Sequence, residues 1–276
     1  MKAKQILWKL SLVFVSLLFV LATAFGLLNI RDTKTVRIIQ LNTDGIMISL
    51  DERELPTIYR INEEWQESKK LLLEEDKIRK IVQKDVNNYV MEFESGKVKT
   101  KGAYVSYGIA PAGAFSINNN HTIVKKAVVD YFLDGTPVQD TIYRCTDIKA
   151  FQIIAKAGGG YKSVYRVPPD FEERKKRWQK ENRYRDEGGS WKYPPMRWPD
   201  YDGPHYEVQK VNRVYAAKNP NYGTLVKVKP DGTVGKIGGL PESCIIDNKN
   251  KLTLSHVDRE WYVNLAKKYI ADYLGE

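Results

Sequence analysis

Leu10–Ile30, LSLVFVSLLFVLATAFGLLNI, is the stretch on which the reading of this chain turns. Its 21 residues carry no charge, and 14 of them are Leu, Ile, Val or Phe. As a helix rising 1.5 Å per residue it reaches about 30 Å, the hydrocarbon thickness of a bilayer. Each large apolar residue favours insertion by about 0.3–0.6 kcal/mol at the helix centre, which outweighs Ser11, Ser16, Gly26 and Asn29. Two readings follow. One is a retained signal anchor. The other is a cleaved signal peptide, with Met1–Lys9 as a basic leader and Ala22-Thr23-Ala24 as a small-x-small cleavage site. The apolar run continues past Ala24 through Phe25-Gly-Leu-Leu-Asn-Ile30, which favours the anchor. The flanks, Lys2, Lys4 and Lys9 against Arg31, Lys34 and Arg37, are balanced, so only the short leader tips the amino terminus towards the cytoplasm. The expected location is therefore a single-pass membrane protein with an extracytoplasmic body, or a secreted protein after cleavage. The first expected partner is the lipid bilayer, through Leu10–Ile30.

Working outward, the remaining chain is polar enough to be a globular body. The net charge is +10 over 276 residues, and four basic residues and no acids precede Asp32, leaving +6 for the rest. That mild excess suits an anionic neighbourhood and does not single out a duplex binder, which concentrates its charge in a patch. Only Cys145 and Cys244 are present. If the body is outside the cytoplasm they are a candidate disulfide, closing a loop of about 100 residues at about 4–5 kcal/mol. Two thiolates cannot build an all-cysteine zinc site.

Immediately after the apolar segment, Thr35–Leu41 and Ile46–Leu50 read as strands joined by the turn residues Asn42-Thr-Asp-Gly45. Pro56 suits a first helical position. Apolar residues then recur at Ile58, Ile61 and Trp65, and again at Ile78, Ile81, Val82, Val86, Tyr89, Val90 and Phe93. Both sets have helical spacing, with the register broken across Glu67–Asp76, so two helices or one kinked helix are expected as a stalk. No sustained heptad supports a long coiled coil.

From Lys97 the texture changes. Ala103–Ile109 alternates like a strand, Thr122–Leu133 reads as strand or helix, and Thr141–Cys145 as a strand. Asp147 is a candidate cap for a helix over Ile148–Ala157 that stops at Gly158-Gly-Gly160. Pro168–Glu187 is a charged helix. Val208–Ala216, Thr224–Lys229, Ser243–Asp247 and Lys251–Leu254 are strand-like. His256–Leu274 is a helix, with Ser255 and Asp258 resembling a capping box and Gly275 as its stop. The expected organisation is an anchor over residues 1–31, a membrane-proximal hairpin and helical stalk over 32–96, and a body over 97–276. The expected fold class is α+β: an N-terminal single transmembrane helix, a helical membrane-proximal region, and a mixed or antiparallel sheet body with a C-terminal amphipathic helix.

Signatures of chemistry are sparse. Gly158-Gly-Gly-Tyr-Lys-Ser163 fails as a phosphate loop, because Tyr161 stands where Gly must precede the Lys-Ser pair. His121, His205 and His256 share no metal-ligand spacing, although Asp200, Asp202 and His205 lie close in sequence. Asn120-His-Thr122 is a glycosylation sequon. No catalytic residue, metal or cofactor is assigned. The candidate binding element is the stretch Gly188–Tyr206, GGSWKYPPMRWPDYDGPHY, whose four prolines exclude a regular helix or central strand. Within it Trp191, Tyr193, Arg197, Trp198 and Tyr201 combine flat rings with positive charge, suited to sugars, bases or a proline-rich peptide. The alternative is that the rings fold back as a lid on the core. The leading functional expectation is a membrane-anchored, non-catalytic binding or scaffold subunit of an envelope assembly, with protein partners and a glycan or anionic polymer as ligand. The alternatives are a membrane-tethered enzyme acting on an envelope polymer, and a nucleic-acid-binding membrane protein. Nucleic acid is disfavoured as a partner because six acids offset the seven bases of the charged helix.

Overall fold

The computed structural model describes residues 4–10, 36–42, 45–107, 115–158 and 160–276. Its contacts divide the chain into two units, Met1–Val105 and Ser106–Glu276. The described residues form an α+β structure with five α-helices and antiparallel sheets.

The first unit contains β1 (Lys4–Leu10), β2 (Val36–Asn42), β3 (Gly45–Leu50), α1 (Leu55–Lys69), β4 (Leu73–Asp85), β5 (Asn88–Phe93) and β6 (Val98–Lys101). They build one six-stranded sheet in the order β2-β3-β1-β4-β5-β6. The hairpin expected from Asn42-Thr-Asp-Gly45 is present, with Asn42 paired to Gly45 and Val36 to Leu50.

The amino-terminal expectation is corrected. Lys4–Leu10 is an interior strand, paired antiparallel to β3 on one side and to β4 on the other. Among the described residues no helix is long and apolar enough to cross a membrane. The rest of the expected segment, residues 11–30, lies outside the described residues.

The helical stalk is corrected as well. Only its first part is a helix: α1 carries Pro56 in its first turn and ends at Lys70, whose φ of 54° is left-handed. Ile58 of α1 is buried against Val36, Ile48 and Leu50, so the helix covers one face of its own sheet. The second part is the β4–β5 hairpin. The Asp85 carboxylate accepts from the Asn87 N–H at 2.8 Å and from the Asn88 amide at 2.9 and 3.0 Å, which forms the turn. A bulge between Ile78 and Lys80 leaves Arg79 without an opposite number. Ile78 and Ile81, three residues apart, therefore face the same way, opposite Phe93 and Met91, which are two apart. The bulge gives strand residues a helical spacing.

The second unit contains α2 (Thr122–Asp134), α3 (Val138–Arg144), β7 (Ile153–Lys156), β8 (Ser163–Val167), α4 (Phe171–Glu181), β9 (Tyr184–Arg185), β10 (Trp191–Lys192), β11 (Tyr206–Val208), β12 (Val211–Ala216), β13 (Thr224–Val228), β14 (Val234–Lys236), β15 (Cys244–Ile246) and α5 (Arg259–Leu274). Residues 141–144, expected as a strand, belong to α3. Asp147 does cap, accepting from Lys149 N–H at 2.9 Å, but only a 3-10 turn follows before β7. Residues 103–107, expected to start a strand, are turn and coil, and residues 108–109 lie outside the described residues. Residues 251–254 are not a strand either, because the Asp247 carboxylate turns the chain there by accepting from the Lys251 and Leu252 N–H groups.

Two sheets pack face to face in this unit: β11-β8-β13-β14 and β15-β12-β7. Their shared core joins Val164 and Leu225 of the first to Ile153, Val214 and Cys244 of the second. The strand pleat turns Val167, Val226 and Val228 to the opposite face, where they meet Phe171, Met196 and Tyr201. α5 begins at Asp258, whose carboxylate accepts from the Glu260 and Trp261 N–H groups, and stops at left-handed Gly275. Its Tyr262 is wholly buried. The Tyr262 hydroxyl donates to the Phe151 carbonyl at 2.6 Å and accepts from the Ala216 N–H at 3.0 Å, joining helix, turn and strand. Both cysteines are free thiols, so the candidate Cys145–Cys244 disulfide is absent. Cys244 sits in the core between the sheets, and burial pushes its thiol up to about 11. Cys145 follows α3 and donates to the Asp147 carbonyl at 3.6 Å.

Candidate nucleic-acid interface

α4 is amphipathic by charge. Phe171 is buried, Trp178 packs beside the Tyr201 cluster, and Arg174, Lys176, Arg177 and Lys180 are exposed. The helix closes at Asn182, whose N–H donates to the Trp178 carbonyl at 2.9 Å. The charged helix expected through Glu187 therefore ends six residues early, and its last bases belong to a hairpin. β9 and β10 pair antiparallel, Arg185 opposite Trp191 and Tyr184 opposite Lys192. Asp186 makes the turn: its N–H donates to the Ser190 carbonyl at 3.0 Å, and its carboxylate accepts from the Ser190 N–H at 2.8 Å. Gly189 takes φ 76°, a conformation that a residue with a Cβ resists. Gln179 ties the return strand to α4 by donating to the Pro194 carbonyl at 3.1 Å.

Alternation along the pleat sorts these side chains. Arg183, Arg185 and Trp191 share one face. The guanidinium carbons of Arg183 and Arg185 lie 4.4 and 4.8 Å from the Trp191 ring centroid. Tyr184 and Lys192 share the other face, where Lys192 pairs with Asp186 at 3.2 Å. Trp191 is 45% exposed, Tyr193 57% and Tyr184 56%. These rings stand in water on an element with no core of its own.

The five residues expected to bind together fall into two groups. Trp191 and Tyr193 are on the hairpin. Trp198 and Tyr201 are packing residues, in accord with the lid alternative: Trp198 stacks on Tyr165 with centroids 4.2 Å apart, and Tyr201 is buried edge-on against Phe171 at 4.9 Å. Burial raises the Tyr201 hydroxyl above its ordinary range. Arg197 fastens the loop. Its N–H donates to the Asp200 carboxylate at 2.9 Å, and its guanidinium donates to the Asp231 carbonyl at 3.2 Å. Arg183 and Arg185, expected on the charged helix that the nucleic-acid alternative draws on, stand instead beside Trp191 at the hairpin. Their signal is RYRDEGGSWKY, alternating residues on both sides of a turn rich in Asp and Gly.

Among the described residues no group of three His, Cys, Asp or Glu side chains is placed to hold a metal ion. Asp200 is engaged with Arg197, and His205 Nδ1 lies 2.8 Å from the Gly203 carbonyl. A cleft of about 340 Å³ lies beside Tyr143, Lys218, Ser255, Asp258, Arg259 and Glu260. Its two cations and two carboxylates balance, and Asp258 is already committed to capping α5. The hairpin face is thus the described surface with concentrated positive charge and open rings, suited to binding rather than to proton transfer.

No protein-family model and no curated protein sequence matches the chain. Among solved structures the chain is similar to the family B DNA polymerase from the hyperthermophilic archaeon Pyrobaculum calidifontis, at 12% identity and a TM-score of 0.45, over 93% of this chain and 29% of that one.

Proposed function

We propose that the unit Ser106–Glu276 is a nucleic-acid-binding module whose contact surface is α4 with the β9–β10 hairpin. One observation carries this reading: Arg183, Arg185 and Trp191 lie on one exposed hairpin face, with both guanidinium groups against the indole. Guanidinium groups recognise phosphate, and an open ring accepts a base. The acids that weighed against nucleic acid are partly occupied locally. Asp170 pairs with Arg174, Glu172 with Lys236 and Asp186 with Lys192. Arg183 and Arg185 form no ion pair among the described residues. Lys176 and Lys180, one helical turn apart and exposed on α4, add positive charge to the proposed surface.

The test is binding of a labelled oligonucleotide across a salt series. Three phosphate contacts on a single strand give a slope of log affinity against log salt of about −2. The double variant Arg183→Gln/Arg185→Gln should flatten that slope and weaken binding to every sequence alike. An affinity indifferent to salt would refute the proposal. A second reading, a non-catalytic scaffold that binds protein partners, rests on the same exposed Trp, Tyr and Arg, the residue types that dominate protein interfaces. It predicts a partner bound through Trp191 with little salt dependence.

A further inference from the structure

We infer that the hairpin takes a single strand, with an unpaired base stacked on Trp191 and its flanking phosphates held by Arg183 and Arg185. This rests on the nucleic-acid reading above and narrows it to one class of ligand.

The two faces of the hairpin differ in chemistry. On one, Arg185 stands directly opposite Trp191, and Arg183, just before β9, brings its guanidinium carbon to 4.4 Å from the same ring. On the other, the Lys192 charge is met by Asp186 at 3.2 Å. On the first face no ion pair engages either arginine among the described residues. An arginine whose plane lies against a ring still has its N–H groups free at the edge, so ring contact and phosphate recognition are compatible. With their guanidinium carbons 4.4 and 4.8 Å from one ring centroid, Arg183 and Arg185 present charges at most about 9 Å apart, a span that adjacent phosphates of an unstacked strand can bridge.

The indole points to the strandedness of the ligand. A duplex hides the flat faces of its bases and offers the hairpin only phosphates and groove edges. Against a duplex, Trp191 would contribute almost nothing beyond what the arginines supply. Packing does not account for it either, because Trp198 and Tyr201 from the same loop already cover the sheet while Trp191 remains 45% exposed. The hairpin tip argues the same way. Asp186 and Glu187 lead the turn, so tip-first entry into a groove would carry two carboxylates between two rows of phosphates. What remains is contact from the side, along the Arg183–Arg185–Trp191 face, with a strand whose bases are open.

The experiment uses the full chain and fluorescence anisotropy with an oligothymidylate of about 16 nucleotides, the upper site size for a single-strand groove. The comparison is the same oligonucleotide annealed to its complement. The single strand should bind about 10-fold more tightly than the duplex, Trp191→Ala should remove that preference, and Trp191→Phe should keep most of it. Equal affinity for both forms, or a preference that survives Trp191→Ala, would overturn the inference and leave a phosphate-binding surface. Salt-independent binding, or none, to either form would overturn the broader reading along with it. Heparin competing as well as the oligonucleotide for wild type, and equally after Trp191→Ala, would make the ligand a polyanion without rings and would also sink the inference.

Discussion

Trp191 and Trp198 are seven residues apart in one proline-rich stretch, yet they meet opposite environments. Trp198 lies on Tyr165 at 4.2 Å, within the layer that closes the β11-β8-β13-β14 sheet. Trp191 sits on two paired residues of a hairpin, touched by arginines and open to water. Composition does not separate them, since both are flanked by a cation and a proline or tyrosine. What separates them is backbone. Past Pro195 the chain is held to the sheet by Arg197, bridged to Thr233 and bonded to Asp231. Before Pro194 its contacts, among the described residues, run within the hairpin and to α4. An aromatic residue in a loop is thus core or contact surface according to what the loop is fastened to.

The comparison breaks most visibly at the packed, half-buried ring. Trp198→Ala should lower the stability of the second unit by about 3 kcal/mol, read as a shifted urea midpoint at unchanged slope. A loss below about 1 kcal/mol would show that the ring is dispensable packing. A third ring extends the contrast to pH. His121 is buried at the start of α2 with φ 35°, edge-on to Tyr269 at 5.9 Å, and its Nδ1 has no partner among the described residues. Burial, helped by the charge of Lys125 one turn on, lowers its pKa from 6.5 to about 4. A histidine kept neutral in the fold but free to protonate when unfolded lends stability above about pH 6.5 that is lost as pH falls towards 4. That loss should reach about 3 kcal/mol, and His121→Phe should flatten the profile in this window. A profile unchanged in the variant would place the acid sensitivity elsewhere.

Tyr262→Phe sharpens the contrast at the level of one atom. It leaves the Phe151 carbonyl and the Ala216 N–H without their partner while keeping the ring, and should cost about 1–3 kcal/mol by thermal or urea melting. The smallest effect belongs to the exposed ring. Trp191→Ala should shift stability by no more than about 0.5 kcal/mol. A larger change would mean that the hairpin supports the fold, and its exposure would no longer mark a contact surface.

The sequence made some of this legible and concealed the rest for identifiable reasons. The β2–β3 hairpin was readable because Asn42-Thr-Asp-Gly45 carries turn chemistry between two short β-branched runs. α5 was readable from its apolar spacing and from Gly275, although its cap is Asp258 and not Ser255. The β4–β5 hairpin was concealed because a bulge at Arg79 imposes a three-residue spacing on strand side chains, so that Ile78 and Ile81 imitate a helix. The Asn87-Asn88 pair in the middle of that run was the contrary signal. The amino-terminal strand was concealed because Lys4–Leu10 leads straight into the most hydrophobic run of the chain, and membrane rules read that run before any sheet is considered. In the candidate interface the rings were visible in the sequence. The place of the arginines beside Trp191 was not, because the end of α4 at Asn182 and the pleat that follows are facts of pairing.

The shortness of β9 and β10 has a consequence in time rather than in space. Each strand is two residues long, and a hairpin of that size has little free energy of its own in water. It should open locally more often than the larger sheets of the same unit, with its amides exchanging with solvent while those of β8 and β13 stay protected, as native-state hydrogen exchange would show. The proposed ligand would therefore meet a population of open and closed hairpins, and would have to supply the ordering free energy before its contacts register as affinity. Cross-linking the turn, or replacing Asp186–Ser190 with a tighter connection, would raise affinity without adding a single contact.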